Sequence, residues 1–584
     1  MLKTLAKQIR GYKTDSIATP LFMLLEVAME MIIPLLMASI IDKGVNAGDM
    51  KHIYIIGALM LGCAAVGLFA GLMGAKYGAR ASAGFAKNLR RSMYDNIQTF
   101  SFSNIDKFST AGLVTRLTTD VSNLQNAFQM ILRMCVRAPA SMITAMIMAF
   151  IINARLASIY LIAVAFLAGI LAFIIARAMK YFKQVFKKYD ELNASVQENV
   201  SAIRVVKAYV REDYEKKKFK KATGNLYKMF VSAEKIVSWN SPVMNATVYV
   251  CILAISWLGA QMIVAGNLTT GELMSLLTYC MNILMSLLML SMIFVMITMA
   301  SASAERVAQV LDETADLTNP REPEYYVPDG SVVFSHVDFA YSADSEKPVL
   351  RDINLSIRSG ETIGIIGGTG SAKTSLVNLI SRLYDVTAGA VLVGGTDVRS
   401  YDMETLRDAV SVVLQKNVLF SGTVLDNLRW GDEYADEEEC VKACTLACAD
   451  EFISKMPQGY NTPLSQGGTN VSGGQKQRIC IARAILKRPR ILILDDSTSA
   501  VDTATDAKIR KALSESLPNT TKLIIAQRIA SVQNADRILV LDDGAVNGFG
   551  THDELMETNA IYREVYESQT GGSGDFDEGG EADA

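Results

Sequence analysis

Four stretches of this chain, 53–75, 156–176, 236–271 and 273–304, contain no charged residue, and each is at least 21 residues long. About 20 apolar residues carry a helix across the hydrocarbon core of a bilayer, where only helices and closed barrels satisfy their own backbone groups. Runs of this length commit the first half of the chain to membrane helices. Two weaker runs bring the set to six: 16–41, which carries Glu26 and Glu30, and 131–153, whose uncharged part at 138–154 follows Arg137. The runs 236–271 and 273–304 exceed a membrane thickness, so their helices are expected to continue into water.

Loop lengths predict the orientation. Lys and Arg number 24 in the two long connections (76–137 and 177–235) against 3 in the short ones (42–52, 154–155 and 265–272). Cationic residues concentrate on the cytoplasmic side. Both long segments, both termini and everything after the sixth helix are therefore expected in the cytosol of a multi-pass plasma-membrane protein, bacterial in type. The first ten residues lack the apolar core and small-residue cleavage site of a signal peptide.

From Asp312 to Gly330 the chain turns rich in Asp, Glu and Pro, as a linker does. Beyond it short β-branched runs alternate with helical ones, for example Val332-Val-Phe, Thr362-Ile-Gly-Ile-Ile and Ile491-Leu-Ile-Leu, the pattern of an α/β domain. The predicted order is an α-helical transmembrane domain at 1–310 with long cytoplasmic extensions, a linker at 311–330, an α/β P-loop domain at 331–568 and an acidic Gly-rich tail at 569–584. A net charge of −3 gives no basic field for nucleic acid. The eight cysteines are scattered and imply no disulfide framework. Cys440, Cys444 and Cys448 match no zinc or iron–sulfur spacing and read as a small buried helix face.

The strand at Thr362 runs into Gly367-Gly-Thr-Gly-Ser-Ala-Lys-Thr374, followed by a helical pattern from Ser375. Such a turn, comprising Gly367, Gly368, Thr369, Gly370, Ser371 and Ala372, exposes backbone N–H groups to phosphates at a helix N-terminus. Lys373 then reaches the terminal phosphates and Thr374 offers a hydroxyl to Mg²⁺. Ala372 departs from the glycine that the pattern asks for.

The company this motif keeps resembles the ABC exporter family over nearly the whole chain. Val471-Ser-Gly-Gly-Gln-Lys-Gln-Arg478 is similar to the family's signature sequence, Ile491-Leu-Ile-Leu-Asp-Asp496 to its Walker B strand, and Ser499-Ala-Val-Asp502 to its D-loop. Gln415 stands at the Q-loop position and Tyr341 at that of the aromatic that stacks on adenine. Ser303-Ala-Glu-Arg306 after the sixth helix extends the similarity to the membrane part. The resemblance implies bound ATP and Mg²⁺, with Thr374, Gln415 and Asp495 around the metal. It also implies that Ser472, Gly473, Gly474 and Gln475 close over the nucleotide of an opposite subunit. Stretches near Asn104–Gly112 and Tyr209–Lys217 sit where the family's coupling helices lie.

Two positions break the family's catalytic pattern. Asp496 stands where a glutamate base is expected, and its oxygens fall short by about one C–C bond, ~1.5 Å. Gln527 stands where a histidine is expected; it can donate a neutral hydrogen bond but carries no charge. The resemblance is therefore to the degenerate-site subunit of a heterodimeric exporter, whose partner half-transporter supplies Glu and His. Drift in a symmetric homodimer, a dedicated lipid, peptide or siderophore exporter, and a non-transporting ATP-gated regulator are the alternatives.

In the membrane part Glu26 and Glu30 share a helix face, and charge there is expensive unless it faces a cavity or a partner. Cation recognition, proton coupling and a structural hydrogen-bonding role all fit. Met281, Met285, Met289, Met292, Met296 and Met299 form one stripe on the sixth helix. Either helix packing or a cavity for varied small hydrophobic substrates accounts for it.

Overall fold

Six helices long and apolar enough to cross a membrane run through Lys13–Val45, Met50–Gln98, Thr110–Ile152, Ala154–Ala178, Glu212–Val264 and Thr270–Asp312 in the computed structural model. Residues 1–342 and 347–570 are described. The tail expected at 569–584 lies outside them beyond Thr570. The second helix is 49 residues long, or about 70 Å at 1.5 Å per residue, more than twice a bilayer core of about 30 Å. Asn153 makes the turn into the fourth helix by accepting from the Leu156 N–H. Thr269 and Glu272 form a capping box that starts the sixth. The uncharged run 236–271 is therefore broken into two helices.

The first helix contains Pro20 and Pro34, and its neighbours supply the hydrogen bonds that hold it. Ser275 Oγ donates to the Pro34 carbonyl at 2.6 Å and Tyr279 Oη to that of Met31 at 2.7 Å. Tyr160 Oη donates to the Leu276 carbonyl at 2.8 Å. In lipid such polar ties between helices replace the hydrophobic drive that water provides.

Contacts divide the chain into two units, Met1–Gln98 with Thr110–Glu313, and Thr99–Ser109 with the chain from Thr314 onward. The short connection Thr99–Ser109 thus packs with the second unit. Its helix Phe102–Phe108 is held by a Ser101–Asn104 capping box and stops at Ser109, whose φ is +55°. The second stretch read as a coupling segment, Tyr209–Lys217, is helical from Glu212 onward and is preceded by a break. The short helix is Ile203–Ala208, Val210 breaks the chain at φ +51°, and a new helix begins at Glu212.

The second unit contains β1 (Val332–Phe339), β2 (Leu350–Ile357), β3 (Thr362–Gly367), β4 (Ala388–Val393), β5 (Thr396–Asp397), β6 (Val410–Val413), β7 (Gly422–Thr423), β8 (Pro463–Leu464), β9 (Ile491–Asp495), β10 (Thr521–Ile525), β11 (Arg537–Asp542) and β12 (Ala545–Gly550). One sheet has the order β2-β1-β4-β5 and is antiparallel; the larger has the order β12-β11-β3-β10-β9-β6. From β11 to β6 the larger sheet is parallel. Every residue of β9 and β10 is buried, as expected for parallel strands covered on both faces. The ends of β3, β9, β10 and β6 therefore release their following loops at one edge, where ligands of open α/β sheets bind. Cys440 and Cys444 are fully buried in the core beneath the signature helix Gly473–Leu486.

Candidate nucleotide-binding site

The P-loop leaves β3 at Gly367 and enters the helix Lys373–Ile380. A side chain at Gly367 would meet the Leu541 carbonyl oxygen at 2.2 Å, so the strand admits glycine alone there. Ala372 is the N-cap of the helix and adopts φ +70°, the left-handed region that favours glycine. Its methyl is tolerated at a cost of about 1–2 kcal/mol. Lys373 Nζ curls into the loop, donating to the carbonyls of Gly367 and Gly368 at 2.9 Å each and to Ser371 Oγ at 3.2 Å.

Thr374 Oγ1 donates to Asp495 Oδ2 at 2.9 Å, bringing two hard oxygen donors together at the mouth of the loop. They suit Mg²⁺, which takes oxygen ligands and keeps several waters. Burial pushes the Asp495 carboxyl up, and the neighbouring Asp496 charge adds to this against the pull of Thr374 and Lys373. Burial lowers the Lys373 ammonium in turn, opposed by Asp495 and Asp496. Both shifts mark charges that gain from a polyphosphate and a cation entering the site. Gln415 is exposed two residues beyond β6, and no hydrogen bond among the described residues joins it to Thr374 or Asp495.

Tyr341 Oη and Ser375 Oγ are 2.8 Å apart, and the half-exposed Tyr341 ring stands beside the loop. Tyr384, which the motif reading missed, meets that ring edge-on at 5.1 Å and donates to Asp106 Oδ2 at 2.8 Å. Burial raises its phenol.

The two altered positions meet each other. Asp496 has φ +48°, and Gln527 Nε2 donates to its Oδ2 at 2.8 Å. The carboxylate in the base position is thus shorter than glutamate and capped by an amide. A second residue outside the motifs holds this arrangement. Gln569, near the end of the helix Ala560–Thr570, accepts from the Ile529 N–H at 2.8 Å and donates to the Gln527 carbonyl at 2.9 Å. The α/β domain was expected to end at 568, so nothing in the local sequence singled Gln569 out. Gln569→Ala removes two hydrogen bonds of about 1 kcal/mol each. Hydrogen exchange at Ile529 should quicken about tenfold, while exchange in β9 stays unchanged.

Ser472 caps the signature helix, accepting from Gln475 N at 3.3 Å while Gln475 Oε1 accepts from Ser472 N at 2.9 Å. Gly473 is exposed, and a side chain at Gly474 would press on the Ala500 carbonyl at 2.7 Å. Gln477, also missed, is buried and ties the helix to the D-loop through Ser499 Oγ at 3.2 Å and Ala500 N at 3.0 Å. Asp502 caps the next helix by accepting from Thr505 N at 2.9 Å, a bond that lowers its pKa. No hydrogen bond among the described residues joins Ser472–Gln475 to the P-loop of the same chain.

The family model of the ABC transporter transmembrane region matches residues 17–288, and the ABC transporter family model matches 350–499. YfiB of Bacillus subtilis, an uncharacterised ABC transporter ATP-binding protein, is 38% identical over 557 residues, 95% of this chain and 96% of that one. This chain belongs to the ABC transporter family. A fatty acid ABC transporter ATP-binding/permease protein of Mycobacterium bovis is 33% identical over 477 residues, covering 82% of this chain and 75% of its own. In fold the transporter matches a bacterial Atm1-family ABC exporter solved with ATP bound, at a TM-score of 0.81 and 22% identity over 97% of this chain and all of the other. The transporter is a multi-pass membrane protein with an ABC ATP-binding domain, an ATPase coupled to transport, and its fold is that of the solved exporter.

In the membrane unit of this ABC transporter, Glu26 and Glu30 share one partner from the third helix. Arg137 Nη1 lies 2.6 Å from Glu26 Oε1 and its Nη2 lies 3.1 Å from Glu30 Oε2. Neither carboxylate stands alone as a cation site, because a single guanidinium spans both. The Glu26, Glu30 and Arg137 side chains are 20%, 42% and 30% exposed, so the pairing is partly screened. Arg137→Met strands two carboxylates and should cost about 1–3 kcal/mol. Adding Glu26→Gln and Glu30→Gln should recover most of the lost melting temperature.

Met281, Met285, Met292 and Met296 are exposed on this chain and Met289 is half-buried, while Tyr279, Cys280, Ile283 and Leu284 of the same helix fill the core. These four exposed methionines therefore lie off the face of the helix that fills the core. The Met299 side chain lies outside the described residues.

Proposed function

We propose that this chain is the asymmetric half of a heterodimeric exporter of hydrophobic or amphipathic compounds. It holds ATP at its own altered site and lends its signature turn to a hydrolytic site completed by a second half-transporter. The hydrogen bond from Gln527 to Asp496 carries the reading. It joins two positions that both lack the family's catalytic groups, in a chain whose signature residues Ser472, Gly474 and Gln475 are whole.

At its own site Tyr341 would stack on the adenine, the P-loop N–H groups and Lys373 would hold the phosphates, and Thr374 and Asp495, with Gln415 as a third candidate, would hold the cation. A bound Mg²⁺ would supply positive charge to the terminal phosphates. Asp496 reaches less far than a glutamate and Gln527 adds no positive charge, so this site keeps its nucleotide longer than the partner's. The nucleotide domain and both termini lie in the cytosol, on the strength of the Lys and Arg asymmetry of the loops. ATP-driven closure of the two nucleotide domains then moves the membrane helices from inward to outward exposure. The exposed methionine stripe and the fatty acid carrier among its relatives both favour an apolar or amphipathic cargo. A non-transporting, ATP-gated regulator would share the weak site but move no substrate into vesicles.

ATPase assays on the full chain alone, and again with a half-transporter that supplies Glu and His, test this. The pair should turn over at least about 10²-fold faster than the chain alone. Strong hydrolysis by the chain alone would overturn the proposal.

A further inference from the structure

Arg133 lies one helical turn before Arg137, yet the two guanidiniums have different surroundings. Arg137 is taken up by Glu26 and Glu30. Arg133 enters no ion pair among the described residues, and its Nε is buried without a hydrogen-bond partner. Its aliphatic stem runs close over Gly78 of the second helix, where an added Cβ would sit 3.3 Å from Arg133 Cδ. A buried polar hydrogen without an acceptor is costly, and more so on a charged group.

What surrounds this cation is uniform in character. A cleft of about 290 Å³ is lined by Asn126, Gln129, Met130, Arg133, Met134 and Met296. It holds two amides, three methionines and a single charge, with no carboxylate among its lining residues. The wall shared with Glu26 and Glu30 lies in a separate cavity of about 390 Å³, to which Arg133 and Arg137 both contribute. Arg133 therefore stands between a cavity that contains acids and a cleft that contains none. A cation with no carboxylate partner, flanked by amides that also donate and by adaptable apolar side chains, matches a ligand with an anionic head and an apolar body.

We propose that the cleft between the third and sixth membrane helices recognises the acidic headgroup of an amphiphile, with Arg133 and Gln129 on the head and Met130, Met134 and Met296 along the chain. The inference rests on the export reading above and narrows its cargo. Carboxylate and phosphate heads share the required chemistry.

The test uses the purified full chain in nanodiscs of neutral phosphatidylcholine, with a fluorescent fatty acid as probe and palmitate, palmityl alcohol, palmitylamine, lysophosphatidate and inorganic phosphate as competitors. Palmitate and lysophosphatidate should compete at about tenfold lower concentration than the alcohol, and inorganic phosphate should not compete, which assigns the head to a lipid-like molecule. Arg133→Gln should bring acid and alcohol to within about twofold of each other, and Arg133→Lys should restore part of the preference. Met296→Trp should weaken acid and alcohol alike by filling the cleft. Equal binding of acid and alcohol to the unaltered chain, stronger binding of the amine, or a preference that survives Arg133→Gln overturns the assignment of Arg133 and leaves the export reading standing. Failure of every amphiphile to displace the probe overturns both.

Discussion

Gly474→Asp in this chain should stop turnover of the pair, a fall of about 10³-fold, whereas Asp496→Asn should lower it by less than about tenfold. The asymmetry follows from where each residue acts. Gly474 opens the signature helix against the D-loop, where a Cβ added at this position would lie 2.7 Å from the Ala500 carbonyl oxygen. An aspartate there both displaces that loop and, in the proposed heterodimer, sets a negative charge beside the partner's nucleotide, at a helix N-terminus that otherwise favours anions. Asp496 is already short and capped by Gln527, so less remains to be lost. The measurement is steady-state phosphate release by the pair, with nucleotide binding followed separately. A loss from Asp496→Asn as deep as that from Gly474→Asp would assign hydrolysis to this chain's own site and contradict the proposed division of labour.

Asp496→Glu combined with Gln527→His should raise hydrolysis at this chain's own site by about 10²-fold or more. Glutamate recovers the missing methylene, and histidine replaces a neutral amide with a group that can carry a proton to the γ-phosphate. Each substitution alone should gain little. Glutamate opposite Gln527 stays capped, and histidine opposite Asp496 meets a carboxylate too short for the water. The gain is expected to be non-additive, as for groups in one hydrogen-bond network. The readout is single-turnover decay of bound ATP. A double variant no faster than either single one would show that the two positions do not limit the site.

The membrane spans were legible because a bilayer demands a run of about 20 apolar residues that no soluble fold needs. The nucleotide site was legible because binding phosphate requires glycine and lysine at fixed offsets beside a strand. The break inside Tyr209–Lys217 was not. Tyr209–Lys217 reads as helical by composition, but the chain breaks at Val210, and side chains cannot announce a single left-handed residue.

What the sequence determined by itself was local: six apolar spans, an α/β domain, and the identity of the residues at the phosphate loop, the signature and the two altered positions. These follow from periodicity, charge and spacing, which act over a few neighbours. What the tertiary structure alone decided was pairing across distance. Arg137 bridges Glu26 and Glu30 from 111 and 107 residues away, Gln527 caps Asp496 across 31, and Gln569 holds the Gln527 loop across 42. A hydrogen bond depends on where two side chains meet in space, and that position is set by the packing of the helices and strands that carry them.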